Sequence, residues 1–446
     1  MTFPFRLEDT PEHAGPLPET ADLVVIGGGV VGVATALFAA RKGLSVVLVE
    51  KGRVAAEQSS RNWGWIRVQG RDAAEIPIVQ EAQGHWRALD AETGGAMGVR
   101  QIGVTYLART EADRARYAAW LDEARPFGVS SALLDREETR ALLGEPRAPW
   151  IGALHTPTDI VAEPWVAVPE LARLARAEGV TILEHHAART LDLAKGRVAG
   201  LVTEAGTIAT PAVVLAGGAW SSLFLRRHGV SIPQLSVRST ALATGPLPQS
   251  PSTAGVDDTL AFRPRADGGF TLAPAAASTL YLGPDAFRHL RPYLGTALAA
   301  IRDVRLAGPA PEGYPDAWST PRWWTSREET PFERMRILDP PPNRAATSEL
   351  KRRFGQAFPQ AAPVTEARAW AGMIDLMPDL VPVIGHVPQI PGLTVATGMS
   401  GHGFGIGPGV GRVVADLVTG DDPGHDLSRF RIDRFRSGRL TRGPHL

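Results

Sequence analysis

Two glycine-rich clusters and the aromatic loop between them hold the residue types most able to do chemistry. Gly27, Gly29 and Gly32 carry the spacing G-x-G-x-x-G. Small residues there let the backbone turn tightly and approach a pyrophosphate at the positive end of the next helix. Glu50 stands 23 positions after Gly27 (50 − 27). A carboxylate at that distance accepts hydrogen bonds from ribose hydroxyls. Next comes Ser59-Ser60-Arg61-Asn62-Trp63-Gly64-Trp65-Ile66-Arg67. Its hydroxyls, amide and arginine suit a phosphate, and its two indoles suit the face of a flat ligand; the alternative is a structural turn anchored by tryptophan. The second glycine cluster puts five glycines between 398 and 407 around Ser400, His402 and Phe404. Such a loop carries many free amides, and Pro408 sits where helices accept proline, in the first turn. A helix N-terminus aimed at a ligand stabilises an anion.

The elements that must position these clusters are legible in the pattern. Asp22 to Ile26 is a short apolar run, suited to a buried parallel strand. Val30 to Lys42 reads as a helix closed by Gly43. Leu44 to Val49 is the second strand, and Lys51 belongs to the same nucleotide-binding unit. Pro77 to Thr93, Glu111 to Phe127, Ala167 to Gly179, Phe287 to Arg305 and Ser348 to Phe358 read as helices. Val99 to Arg109 alternates as a strand. Residues 188–193 and 197–204 form a hairpin with Lys195 and Gly196 in its turn. The buried strand from Ala212 ends in Gly217-Gly218, then Trp220. Strands follow at Val237 to Thr244, Leu260 to Arg265, Gly269 to Leu272 and Leu280 to Leu282, and again at Leu393 to Thr397. The fold class is α/β: a Rossmann-like dinucleotide-binding domain interleaved with an antiparallel-sheet substrate domain. The first takes about 1–95, 151–235 and 363–425, the second about 96–150 and 236–362, and a basic tail covers 426–446. That tail is expected to be solvated or docked.

The chain has 446 residues, 44% hydrophobic and 21% charged, with formal net charge zero. This fits a soluble globular protein and offers nothing to nucleic acid. The absence of cysteine excludes disulfides, thiolate metal sites and a cysteinyl bond to a cofactor; it fits a reducing cytoplasm. No apolar run reaches the roughly 18 residues of a membrane span, and Met1 to Thr20 reads as an irregular arm rather than a signal peptide. His185-His186 lacks metal-site spacing, so no metal is expected.

Three stretches together resemble the flavoprotein amine oxidoreductases of the D-amino-acid oxidase, glycine oxidase and sarcosine oxidase type. They are Gly27-x-Gly29-x-x-Gly32 with Glu50; Val213-Val-Leu-Ala-Gly217-Gly-Ala-Trp220-Ser221; and Asp379-x-x-Pro382-Val-Ile-Gly385 followed by Ser400-Gly-His402-Gly-Phe404. The resemblance spans Asp22 to Asp421 and implies FAD, held here without a covalent cysteine bond. It implies Gly27, Gly29, Val30, Val31 and Gly32 at the pyrophosphate, and Glu50 with Lys51 at the adenosine ribose. It implies Ser59, Ser60 and Arg61 at phosphate or flavin edge; Asn62, Trp63 and Gly64 join them as cofactor-binding candidates, although the Trp63-Gly64-Trp65 loop is unlike the best-known members, so the substrate does not carry over. Ala188 would offer backbone to adenine, with Gly217 and Trp220 nearby. Gly401, His402, Gly403, Phe404, Gly405 and Ile406 would surround the isoalloxazine. The sequence departs from the family where a lysine is expected near Leu280-Tyr281 or at Gly405; the four lysines are Lys42, Lys51, Lys195 and Lys351.

The function implied is oxidation of the C–N bond of an amino acid or secondary amine, by hydride transfer to flavin N5 and hydrolysis of the imine. The acceptor is O2 or a respiratory or other acceptor. A substrate carboxylate needs an arginine fork, and Arg67, Arg263, Arg265 and Arg368 are the candidates. His402 is a packed flavin-edge residue or a base, and Tyr281 or Tyr106 a hydroxyl for substrate. The alternatives are a flavin hydroxy-acid dehydrogenase, which needs a base, and a non-catalytic FAD-binding subunit of a larger complex.

Overall fold

The structure is a computed structural model and describes residues 4–247, 251–275, 278–299 and 304–436. Short apolar runs become the centre of a six-stranded sheet. Its order is Val383–His386, Leu393–Thr397, Val213–Leu215, Leu23–Ile26, Val46–Val49, Thr181–Leu183. Five strands run parallel, and Val383–His386 is an antiparallel edge. Ile26 pairs with both Val49 and Leu215, so the carboxyl ends of three neighbouring strands finish level. Ligands bind at that edge of an open α/β sheet.

Among the described residues, ten strands make a second sheet, mostly antiparallel. Its longest pair is Leu235–Thr244 against Glu366–Leu376. Gly152–Thr156 and Glu366–Leu376 both belong to this sheet, although they lie beyond residues 150 and 362. Each is pinned there by a long antiparallel register with an earlier strand. The Val99 to Arg109 stretch is two strands, Arg100–Gln101 and Val104–Ala108. Gly103 breaks it with φ +69°, a left-handed conformation that glycine accepts without strain. The expected helix from Phe287 to Arg305 is Pro284–Arg288 and Leu290–Ala299, followed by a strand, Val304–Ala307.

The helix expected near Pro408 starts five residues earlier. Gly403–Thr419 is one continuous helix with Pro408 inside it. Its glycines allow very close packing. A Cβ on Gly407 would lie 2.6 Å from Val30 Cγ2, and one on Gly411 2.5 Å from Ala34 Cβ. The partner helix, Val30–Arg41, is therefore buried on nearly every side. The tail docks as far as residue 436: Phe430 is fully buried, and Arg429 and Arg434 pair with Asp379. The rest of the tail lies outside the described residues. No helix among the described residues is long and apolar enough to cross a membrane.

Candidate active site

The first glycine cluster forms a cradle at the end of Leu23–Ile26. Gly27 has φ +109°, and a Cβ there would lie 2.5 Å from the Ala216 carbonyl oxygen. Gly29 is the N-cap of Val30–Arg41 and offers no side-chain cap. Ser59 Oγ accepts from Val30 N at 2.9 Å instead. Gly32 packs backbone on backbone, since a Cβ would meet the Gly27 oxygen at 2.0 Å. Glu50 binds this turn from the next strand: its two carboxylate oxygens accept from Gly28 N and Gly52 N, each at 2.7 Å. Burial pushes the Glu50 carboxyl up, against the opposing effect of Lys51 and the two amides. Lys51 Nζ donates to Glu57 at 2.5 Å and lies 4.5 Å from the Trp220 ring centre. Trp220 Nε1 donates to the same Glu57 at 3.1 Å.

A cavity of about 440 Å³ runs from this cradle to the aromatic loop. Trp63 and Trp65 wall it, edge to face at 5.2 Å. Arg67 lines the same end, its guanidinium 5.2 Å from the Tyr106 ring centre and its Nη1 donating to the Gln69 carbonyl. Arg71, four residues on, also lines the cavity while only 4% exposed. The second glycine cluster closes this end with Gly401, His402, Gly403 and Phe404. Because the helix begins at Gly403, its free amides open onto the cavity and favour an anion there.

The acids and bases at this end are strongly perturbed. His402 Nδ1 is 3.7 Å from Glu75 Oε1. Burial and the neighbouring Arg71 push His402 down to about 4, so it is neutral at pH 7. Glu75 is held low by His402 and Arg71 despite its burial. Burial also pulls Arg71 down to about 9. Asp375, 1% exposed on the cavity wall, accepts from Gly398 N at 2.9 Å and Gln234 Nε2 at 3.1 Å. Burial raises its carboxyl.

The cavity gathers most of the residues singled out from sequence. Gly27, Gly29, Val30, Val31, Glu50, Lys51, Ser59, Arg61, Asn62, Trp63, Arg67, Ala188, Gly217, Trp220, Gly401, His402, Gly403 and Phe404 all line it. Others stand behind the wall. Ser60 Oγ donates to the Ala55 carbonyl. Gly64 lies under Ala162 and Arg263. Gly405 lies against the Trp65 carbonyl and Ile66, and Ile406 is in the core. Tyr281 packs edge-on against Tyr314 at 5.9 Å, away from the cavity. Among the arginines, Arg263 is 1% exposed and forks onto Glu163 through two 2.9 Å bonds. Arg265 is held by Asp267 and two carbonyls. Arg368 does not reach the cavity wall. Arg71, Glu75, Gln58 and Asp375 were not singled out. A signal existed for two of them: Arg71 follows Arg67 by four residues, and Asp375 interrupts an apolar strand.

The whole chain has recognisable relatives. The family model described as "FAD dependent oxidoreductase" matches residues 22–417. The chain is 25% identical over 441 residues to mitochondrial sarcosine dehydrogenase of Homo sapiens; the match covers 96% of this chain and 43% of that protein, so the chain spans less than half of that relative. It is also 25% identical to a D-amino acid dehydrogenase of Rhizorhabdus wittichii, over 93% of this chain and all of that one. Among solved structures, L-amino acid deaminase from Proteus myxofaciens in complex with anthranilate superposes with a TM-score of 0.91 at 29% identity, covering 97% of each chain.

Proposed function

This chain belongs to the FAD dependent oxidoreductase family, and from that premise we propose that it oxidises the C–N bond of an amino acid or secondary amine, with FAD bound non-covalently and with the cytoplasm as its compartment. One observation carries the reading: a single cavity joins the glycine cradle to two indoles, two arginines and a helix N-terminus. The residues present fit FAD. The cradle around Gly27 and Gly29 has no Cβ to obstruct a pyrophosphate, and at the N-terminus of Val30–Arg41 the N-cap Gly29 carries no side chain, with Ser59 Oγ accepting from the Val30 amide. Glu50 keeps lone pairs free beyond the two amides it already accepts.

FAD, when bound, supplies the acceptor for the hydride that leaves the amine-bearing carbon. Arg67 receives the substrate carboxylate and so fixes where that carbon lies. Its guanidinium is steadied by Tyr106 and the Gln69 carbonyl, which limits the freedom lost on binding. Trp63 and Trp65 keep water from that end. His402 is neutral at pH 7, and a group titrating at about 4 is a weak base there. That supports hydride loss from a neutral amine over the hydroxy-acid reaction, which needs a base matched to neutral pH. The imine product then takes up water to give the carbonyl compound and the released amine. The one lysine on the wall, Lys51, is engaged by Glu57 near the adenosine end, which supports an acceptor other than O2. In this reading the FAD-binding part is drawn from about 1–95, 151–235 and 363–425, less the two strands in the large sheet. The segments 96–150 and 236–362 close the substrate end.

The test is an anaerobic screen of D- and L-amino acids, N-methyl amino acids and simple amines for bleaching of the bound flavin. Acid precipitation should release intact FAD into the supernatant. With Arg67→Ala, carboxylated substrates should slow far more than the matching decarboxylated amines. A flavin that no amine bleaches defeats the reading, and equal slowing of both substrate classes removes Arg67 from it.

A further inference from the structure

We propose that Arg71 forms, beside Arg67, a second anion subsite, so that the substrate is an amino acid bearing two carboxylates. This rests on the C–N oxidation reading above.

Arg71 is a buried guanidinium whose Nη1 has no hydrogen-bond partner. Its Nε reaches only the Arg67 carbonyl, at 3.4 Å. Buried charges are ordinarily paired, because desolvation is costly. This chain follows that rule where an arginine is structural. Arg263, equally buried, is forked onto Glu163. Arg61, also on the cavity wall, reaches Asp339 at 2.5 Å and two carbonyls. Among the described residues, no carboxylate lies within ion-pair distance of Arg67 or Arg71. The acids whose charges act on Arg71 lie beyond ion-pair distance of it and are only partly engaged. Glu75 Oε1 is 3.7 Å from His402 Nδ1, and Asp159 Oδ1 accepts from Val68 N at 2.8 Å and Gln83 Nε2 at 2.9 Å, while Glu75 Oε1 and Asp159 Oδ2 have no hydrogen-bond partner.

One fork satisfies one carboxylate bidentately. Arg67 is already set for that task by Tyr106 and Gln69. A second, unsatisfied guanidinium on the same wall is suited to a second anion of the same ligand. The acidic amino acids and N-carboxyalkyl amino acids have that chemistry.

The test uses holoenzyme and two non-reacting probes, glutarate and butyrate. Binding is read from perturbation of the flavin absorbance and from thermal shift. Wild type should bind glutarate at least ~10-fold more tightly than butyrate, the scale of one charge-assisted hydrogen bond. Arg71→Met should abolish that preference, and Arg71→Lys should restore part of it. In anaerobic bleaching, glutamate or aspartate of the reactive configuration should outpace glutamine or asparagine by a similar factor. Equal binding of the two probes by wild type overturns the proposal, as does an equal loss of both in Arg71→Met. If the glutarate preference holds while no amino acid bleaches the flavin, the subsite stands and the oxidation reading falls. If amino acids bleach it with no preference for diacids, the reverse follows.

Discussion

Glu50 offers a sharp test of how the cradle works. Its two oxygens each accept one backbone amide, Gly28 N and Gly52 N, at 2.7 Å. Hydrogen bonds to a charged group contribute about 1.5–3 kcal/mol each. Burial raises the Glu50 carboxyl against both amides, so the lower end applies. Glu50→Ala should therefore cost about 3 kcal/mol of apoprotein stability across the two bonds. Losing a ribose acceptor should weaken FAD binding by a further ~1.5–3 kcal/mol, at least about tenfold. Glu50→Gln separates shape from charge. A carboxamide has one acceptor oxygen, and its NH2 would confront one of the two amides donor to donor. Glutamine should thus fall close to alanine despite its size. The assays are FAD titration of apoprotein by fluorescence quenching, and chemical denaturation. Turnover at saturating FAD should survive in both variants. A Glu50→Gln protein with wild-type FAD affinity would refute the two-amide account, and an unaffected Glu50→Ala would move the adenosine site elsewhere.

Arg263→Ala removes the fork on Glu163, which keeps only Arg100 at 3.4 Å and the Ala266 amide, and should cost about 3 kcal/mol in denaturant unfolding, the low end for a broken buried pair, with no selective loss of carboxylated substrates. Gly411→Ala sets a helix-propensity gain of about 1 kcal/mol against a Cβ only 2.7 Å from Ala34 and Thr35 backbone atoms. Backbone cannot rotate aside, so overpacking of about 1–3 kcal/mol should win, and the melting temperature should fall. Burial and Arg227 hold His228 down at about 4, and its Nε2 accepts from Leu191 N at 3.3 Å. The folded state therefore binds fewer protons than the unfolded chain between pH ~6.5 and ~4. Stability should be full above that window and decline as pH falls through it, by at most about 1.4 kcal/mol per pH unit from this group. His228→Phe should flatten that slope in pH-dependent melts.

The parallel sheet, the cradle and the interleaving with a second sheet were legible because each rests on local signals. Apolar runs, glycine spacing and the acid after the second strand all lie within one short stretch. What stayed hidden depends on long-range pairing. Nothing local separates Arg67 from Arg263. Only the fold brings Glu163 to Arg263 across 100 positions and leaves Arg67 facing the cavity. The helix start was misread because Pro408 is tolerated best in a first turn, whereas packing sets this boundary. The glycines at 405, 407, 409 and 411 let the helix lie against Trp65–Ile66 and two other helices, and the gain from that contact extends it back to Gly403. Tyr281 sits on an expected strand but faces Tyr314, since period-two alternation gives the faces and not which one meets the ligand.

The earlier helix start changes the electrostatics of the site. With Pro408 in the first turn, the positive end of the helix would fall within the core. Starting at Gly403, it opens on the same wall as Arg67 and Arg71, with His402 as the last residue before the helix. A protonated histidine there would oppose both the helix N-terminus and Arg71. Burial and Arg71 keep it neutral, and Glu75 takes its place as the local acid. The segment that carries this acid is itself pinned: Asp72, three residues before Glu75, is held by Arg429 from the docked tail. Glu75 offsets one guanidinium but touches neither. The wall therefore presents unpaired donors together with one guanidinium charge that Glu75 does not offset. A carboxylate gains directed hydrogen bonds there, while a cation gains none, which sets this end of the cavity apart from the one walled by Glu50 and Glu57.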